Sequence, residues 1–289
     1  MIPGSFEYFA PQTLEEAVSL LGKYPDSKIL SGGQSLIPLM KLRFATPPYL
    51  IDINRIPNLA YIKEEGGFLK IGALVRESDL EASDLVKSKY PILYDTSVVI
   101  ADPLVRNRAT VCGNVAHADP ANDHPATMLA VGAEFVAKGP KGERTIPAND
   151  FFTGLYATAL HPDEILKEIR IPVPPARSGG VYIKLERKVG DFAIAAVAVQ
   201  VTLDDKGNCQ KVGIGLTNAG LTPVKARKTE QFLQGKKLDE NNIKEAAKLA
   251  ASESEPRPDF RGTEDYKKDL IRVLTARALR TANQRAGGK

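Results

Sequence analysis

An α+β fold in three lobes is what the sequence predicts: two small α/β lobes over residues 1–55 and 56–176, then a C-terminal lobe over 177–289 with a three-stranded antiparallel sheet and a helical bundle. Three observations predict it. A capped amphipathic helix is followed by a strand that runs into a paired-glycine turn. Two hairpin patterns surround Gly66-Gly67 and Pro140-Lys141-Gly142. A proline- and glycine-rich break, Pro172 to Gly180, is followed by three apolar strand-like runs and then by helical periodicity.

Taken in order, Thr13 with Glu16 three residues later reads as a capping box, and Ala17, Leu20 and Leu21 form an apolar face that Gly22 and Pro25 end. Lys28-Ile29-Leu30 reads as a short strand, Leu36 to Leu42 as helical and Tyr49 to Ile53 as a strand. Leu59–Lys63 with Phe68–Gly72, and Glu134–Lys138 with Arg144–Ile146, make the hairpins, with helical segments near Pro91 and Ala126 between them. From Glu164 to Ile171 the residues Ile165, Ile169 and Ile171 share one side of a strand, with Lys167 as the exception. Beyond the break, Val181–Arg187, Phe192–Leu203 and Val212–Thr217 suggest a meander. Asn242–Ala251 and a long helix capped by Thr263, with Leu270, Val273, Leu274 and Ala278 at helical spacing, complete the lobe.

Apolar residues at 43% and charged residues at 26% are ordinary for a globular chain, and 289 residues suffice for more than one core. A net charge of +4 is small, and the one basic concentration, Arg272, Arg277, Arg280 and Arg285, reads as a solvated helix face. Nucleic-acid binding is therefore not expected. Cys112 and Cys209 are too few for a disulfide scaffold or an iron–sulfur ligand set. No stretch has the length of a membrane span and the N-terminus lacks a signal-peptide pattern, so a cytoplasmic location is expected.

Two segments carry chemistry. In Lys28-Ile29-Leu30-Ser31-Gly32-Gly33-Gln34-Ser35-Leu36, a strand enters a turn whose glycines let backbone N–H groups approach a ligand, an arrangement suited to phosphate; a plain tight turn is the alternative. In Thr110-Val111-Cys112-Gly113-Asn114, continuing through Asp119 to Asp123, small residues, a hydroxyl, an amide and two carboxylates fall in what reads as one non-helical stretch. Neither segment has the Rossmann or P-loop pattern, so those nucleotide folds are disfavoured, and two separated loops could instead clasp one diphosphate. Asp119 and Asp123 also read as an acid–base pair or as a helix cap. His117, His124 and His161 match no metal-ligand spacing, and loop structure is expected for them.

The sequence resembles the FAD-binding medium subunits of carbon monoxide dehydrogenase and its aerobic relatives, and more distantly the flavin domain of xanthine dehydrogenase. The resemblance runs nearly end to end. Its carriers are Met1–Phe6, Gly32–Pro38, Ile100-Ala101-Asp102-Pro103, Thr110–Asp123, Ile171–Pro174, Lys188–Phe192 and Gly215–Asn218. It implies that the first two lobes form an FAD-binding domain of the PCMH type, as in vanillyl-alcohol oxidase and xanthine dehydrogenase. It also implies that Ser31 to Ser35 and Thr110 to Asn114 bind the FAD diphosphate, and that Asp123 binds ribityl or ribose hydroxyls. Ile100 and Leu166 would be apolar cofactor contacts, Lys184 a lysine near the flavin, and Phe192 a ring over the isoalloxazine; core packing is the other reading of Phe192.

The same resemblance implies noncovalent FAD here, with the molybdenum cofactor and the 2Fe-2S clusters on a large and a small partner subunit, assembled as a dimer of heterotrimers. Electrons would pass from the 2Fe-2S subunit to an external acceptor, and substrate would be met elsewhere. A self-sufficient flavin oxidoreductase of the same flavin-domain type is the alternative, and a cofactor-free scaffold a third. Two departures stand out. Cys112 replaces a glycine common in relatives, and reads as a small buried residue rather than a redox thiol; Glu77 stands where some members have histidine.

Overall fold

The computed structural model describes residues 1–287. The first sheet is parallel and three-stranded, with Tyr49–Asp52 between Glu7–Phe9 and Lys28–Leu30. The helix Leu14–Lys23 packs on it through Ala17, Val18 and Leu21, which share a core with Ile51, Ile53, Leu59, Ala73, Leu74 and Ile165. Thr13 caps this helix by accepting the Glu16 N–H at 3.1 Å. The reciprocal half of the expected box is displaced: Glu16 accepts the Gln12 N–H at 2.8 Å, and the helix runs on through Gly22.

The second sheet places Ile165–Pro172 between the two hairpins, in the order Ile62–Glu65, Phe68–Gly72, Ile165–Pro172, Glu134–Gly139, Gly142–Pro147, every pairing antiparallel. Gly66 and Gly67 turn the first hairpin at φ of 62° and 81°, a region that costs glycine little. The regular strand starts at Ile62 rather than Leu59, although the Tyr61 and Leu59 carbonyls still accept the Gly72 and Leu74 N–H groups in the same antiparallel register. Ile165, Ile169 and Ile171 do not share one side as expected: Ile165 joins the core of Ala17 and Ile51, whereas Ile169 and Ile171 join that of Phe135 and Leu69, because the alternation is interrupted at Lys167. Leu166 faces Ala137 and Glu168 faces Val136, so Lys167 is the extra residue of a β-bulge.

The C-terminal sheet contains the expected antiparallel meander, Ser178–Glu186, Ala193–Leu203 and Cys209–Thr217, and Val224–Lys225 adds a two-residue fourth strand. The irregular break is shorter than Pro172 to Gly180. Pro172 closes one strand, and Ser178, Gly179 and Gly180 already pair with Thr202, Val201 and Gln200. Gly179 serves packing rather than flexibility: a Cβ there would lie 2.2 Å from the Ala282 carbonyl oxygen of the helix Glu264–Arg285. Three of that helix's arginines pair with acids, Arg272 with Asp269 and Arg280 with Glu240, both at 2.7 Å, and Arg285 with Asp95. Arg285 also donates to the Gly180 carbonyl, so the basic run is partly an ion-pair surface.

The sheet and the second lobe are joined closely. On the helix Asp123–Val131, the Ala126 and Ala130 carbonyl oxygens would lie 1.9 Å from a Cβ built on Gly215 and Gly213 respectively. Helix and strand therefore approach to backbone contact. Gly213→Ala is expected to force them apart and to destabilise the chain by about 1–3 kcal/mol, measured by denaturant unfolding against Gly22→Ala, where a Cβ meets open space and the backbone is helical.

The helices Glu77–Ala82, Asp84–Lys89 and Arg227–Leu233 were not foreseen, being too short to show periodicity. Among the described residues no helix is long and apolar enough to cross a membrane.

Candidate functional site

The strand Lys28–Leu30 delivers Ser31, Gly32 and Gly33 to the foot of the second lobe. There the turn abuts Arg108 to Thr110. A Cβ on Gly32 would sit 2.4 Å from the Arg108 carbonyl oxygen and 2.8 Å from the Ala109 Cα, so only glycine lets the two segments touch. The Ser31 and Thr110 hydroxyls lie 3.0 Å apart. Gly33, at φ 74°, turns the chain into the helix Leu36–Lys41, leaving Gln34 and Ser35 half-buried beside the junction. Two stretches far apart in sequence thus form one surface.

The second stretch is not the non-helical loop expected. Val111–His117 is a short helix, and Thr110 is its N-cap, its hydroxyl accepting the Gly113 N–H at 3.2 Å. Thr110 to Asn114 accordingly present a first helical turn. Cys112, at a helical φ, needs no glycine freedom; its side chain is buried and burial pushes the thiol pKa up, in keeping with an inert packing role. The Asn114 Oδ1 is buried with no hydrogen-bond partner among the described residues, an acceptor left available on this surface.

Two residues that the sequence did not single out hold the junction together. Asn54, in an Asx turn on Asp52, donates to the Ser31 carbonyl at 2.9 Å. Arg76 bonds the Asn54 side-chain oxygen and donates to the Arg108 carbonyl at 2.6 Å. Burial, and secondarily the Arg108 guanidinium, lower the Arg76 pKa, so two cations crowd beside the glycine turn. The Asp52-x-Asn54 spacing was the only local signal for either residue.

The remaining expected residues continue this surface toward the C-terminal sheet. The Asn122 amide donates to the Asn114 carbonyl at 2.9 Å and leads into Asp123, the first residue of the helix Asp123–Val131. Asp123 neither caps that helix nor pairs with Asp119. Its buried carboxylate accepts from the Tyr182 hydroxyl at 2.7 Å and from Lys184 Nζ at 3.1 Å. Burial raises its pKa, against the opposing effect of Lys184. Lys184 also donates to the Val99 carbonyl at 2.9 Å, beside Ile100, which is buried with a narrow open edge.

Leu166 is a core residue on the central strand of the second sheet, 5% exposed. Phe192 precedes the strand Ala193–Leu203 and is 47% exposed, which corrects the reading of it as core. The Arg261 guanidinium lies 5.7 Å from its ring centre.

The histidines are also corrected. His124 lies within a helix and contacts Glu77, and His117 closes its own helix 5.3 Å from the Tyr156 ring; only His161 is in a loop. Among the described residues no group of three or more histidine, cysteine, aspartate or glutamate side chains is placed to hold a metal.

Two family models match the chain: the FAD binding domain in molybdopterin dehydrogenase over residues 4–174, and the CO dehydrogenase flavoprotein C-terminal domain over residues 180–282. The carbon monoxide dehydrogenase medium chain of Hydrogenophaga pseudoflava is 46% identical, with 98% of each chain covered. That of Afipia carboxidovorans is 44% identical, with 99% of each covered. Among solved structures, carbon monoxide dehydrogenase from Hydrogenophaga pseudoflava lacking the Mo-pyranopterin moiety contains a chain that superposes with a TM-score of 0.96 at 47% identity, with 99% of both chains covered.

Proposed function

The chain belongs to the family of FAD-binding medium subunits of carbon monoxide dehydrogenase-type molybdenum hydroxylases, and from that premise we propose that it is the electron-transfer flavoprotein subunit of a heteromeric oxidoreductase. The observation that carries the reading is the contact between the Ser31–Gly33 turn and the Thr110 segment. Backbone N–H groups of the Ser31–Gly33 turn then face one ligand beside the start of the helix Val111–His117, whose Val111 and Gly113 N–H groups are already given to Val75 and Thr110, with Arg76 and Arg108 adding positive charge, which is what a diphosphate requires.

In this reading Ser31 to Ser35 and Thr110 to Asn114 bind the diphosphate of FAD, and the unpartnered Asn114 oxygen accepts from a cofactor hydroxyl or amine. Asp123 has lone pairs beyond those given to Tyr182 and Lys184, and these accept from a ribityl or ribose hydroxyl. Lys184 holds its charge at a fixed point between Asp123 and Val99, close to where Ile100 offers an apolar edge. Phe192, exposed and steadied by Arg261, supplies an aromatic face against solvent. When bound, FAD supplies the redox chemistry, taking electrons from a 2Fe-2S partner subunit and giving them to an external acceptor. A large subunit with the molybdenum cofactor meets the substrate, and the assembly is a dimer of heterotrimers.

No histidine or cysteine sits at an evident flavin-linking position, both cysteines being buried, and the FAD is held noncovalently. Acid precipitation is expected to leave all flavin in the supernatant; flavin retained by the pellet contradicts this. The wider reading is tested by size-exclusion of the native protein from its source, with flavin absorbance and metal analysis. Co-elution of flavin with molybdenum and iron in a larger assembly is expected, and a lone flavoprotein that turns over substrate overturns it.

A further inference from the structure

Glu77 and His124 are each fully buried, with Glu77 Oε2 2.7 Å from His124 Nε2. The Glu77 Oε1 and His124 Nδ1 atoms have no partner among the described residues. Such a half-satisfied polar pair is a poor way to fill a core, since apolar side chains of similar volume are often as stable or more so. Its location gives it another use.

Glu77 is fixed to the first of two segments. Its N–H donates to the Ala109 carbonyl at 3.0 Å, the Val111 N–H donates to the Val75 carbonyl at 3.1 Å, and Arg76 and Thr110 bridge between them. The stretch Val75–Glu77 is thereby zipped to Ala109–Val111, which carries the N-cap Thr110. His124 is fixed to the second segment, one residue after Asp123 and in the first turn of the helix Asp123–Val131. That helix is in turn seated by Gly213 and Gly215 against the C-terminal sheet, from which Tyr182 and Lys184 reach Asp123.

We propose that the Glu77–His124 pair is a positioning brace for the cofactor: it sets the spacing between the Thr110 turn, which faces the diphosphate, and Asp123, which faces the hydroxyls of the same ligand. This rests on the FAD reading above. The brace acts through Thr110 and Asp123 and touches no ligand itself. The Asn122–Asn114 hydrogen bond links the same two segments at a second point, and with the brace it closes one frame.

The test uses the full chain with its co-purifying subunits, stripped of flavin and titrated with FAD. Glu77→Met/His124→Leu and Glu77→Leu/His124→Phe replace the pair by apolar side chains that can pack, so either can serve if the other fails to fold. The expected result is a thermal midpoint equal to or above that of wild type together with an FAD Kd raised about tenfold, roughly 1.4 kcal/mol of binding, and a visible circular dichroism signal of bound flavin altered in shape. Glu77→Gln keeps the hydrogen bond to the ring and is expected to restore the wild-type Kd and spectrum. Folded double variants that bind FAD as wild type does overturn the brace, and so does a Glu77→Gln chain as weak as the double variants. If the wild-type chain takes up no FAD at all, the FAD reading itself fails and the brace with it.

Discussion

Gly32→Ala is expected to lower FAD affinity on the order of a hundredfold, the size of loss that misplacing positioned groups by about 1 Å produces. The added methyl would meet the Arg108 carbonyl oxygen at 2.4 Å and the Ala109 Cα at 2.8 Å, and both are backbone atoms that no rotamer change moves aside. The turn must therefore back away from Arg108–Thr110, separating the Ser31 and Thr110 hydroxyls that now lie 3.0 Å apart. Gly33→Val should act in the same direction for a different reason. Its φ of 74° disfavours a β-branched residue, and the new Cβ would lie 2.7 Å from the end of Ile37. Equilibrium dialysis of the folded variants against FAD measures both, and undiminished flavin content in the Gly32 variant removes the diphosphate assignment.

Asp123→Ala is expected to be the costlier change for stability, about 3 kcal/mol, toward the low end for breaking a buried ion pair because Glu186 remains 3.3 Å from Lys184. It strips the acceptor from the Tyr182 hydroxyl and leaves the Lys184 ammonium, 2% exposed, short of one partner. FAD affinity should fall with it. Asp123→Asn separates the two effects: the amide oxygen still accepts from Tyr182, while the charge is gone. Its pH dependence has a definite sign. Burial raises the Asp123 carboxyl above its ordinary value, so the folded chain holds this proton to higher pH than the unfolded chain does. The contribution to stability is present at low pH and is lost as pH rises through the folded value. Unfolding free energies between about pH 4 and pH 7 should therefore fall less steeply with pH in Asp123→Asn than in wild type. Parallel curves contradict the assignment.

Much of the fold was legible because its signals are local. Thr13 announces a helix start, Gly66-Gly67 a hairpin turn and Thr263 the start of the last helix, each through chemistry confined to a few residues. The Lys167 exception was visible too, although its cause, a bulge against Glu134–Gly139, requires the partner strand. Thr110 was read as part of a loop because the helix it caps is only seven residues long, with a glycine inside and no glutamate or glutamine at the third position to complete a box. Glycines at 179, 213 and 215 look like breakers in sequence. They are contact points for helix backbones, which only the packing discloses.

The sequence by itself determined the α+β class, the two glycine-bearing segments and the family, since these depend on residue type and on the order of motifs along the chain. Only the tertiary structure decided that Gly32 sits on Arg108–Thr110, that Asn54 and Arg76 bind the two segments together, and that Asp123 is anchored by Tyr182 and Lys184. It also decided that Phe192 stands at the surface and that Glu77 is closed in with His124. The physical reason is range: turns and caps are settled by neighbours along the chain, whereas close approach, burial and buried pairing depend on residues brought together from distant positions by the packing of sheets and helices.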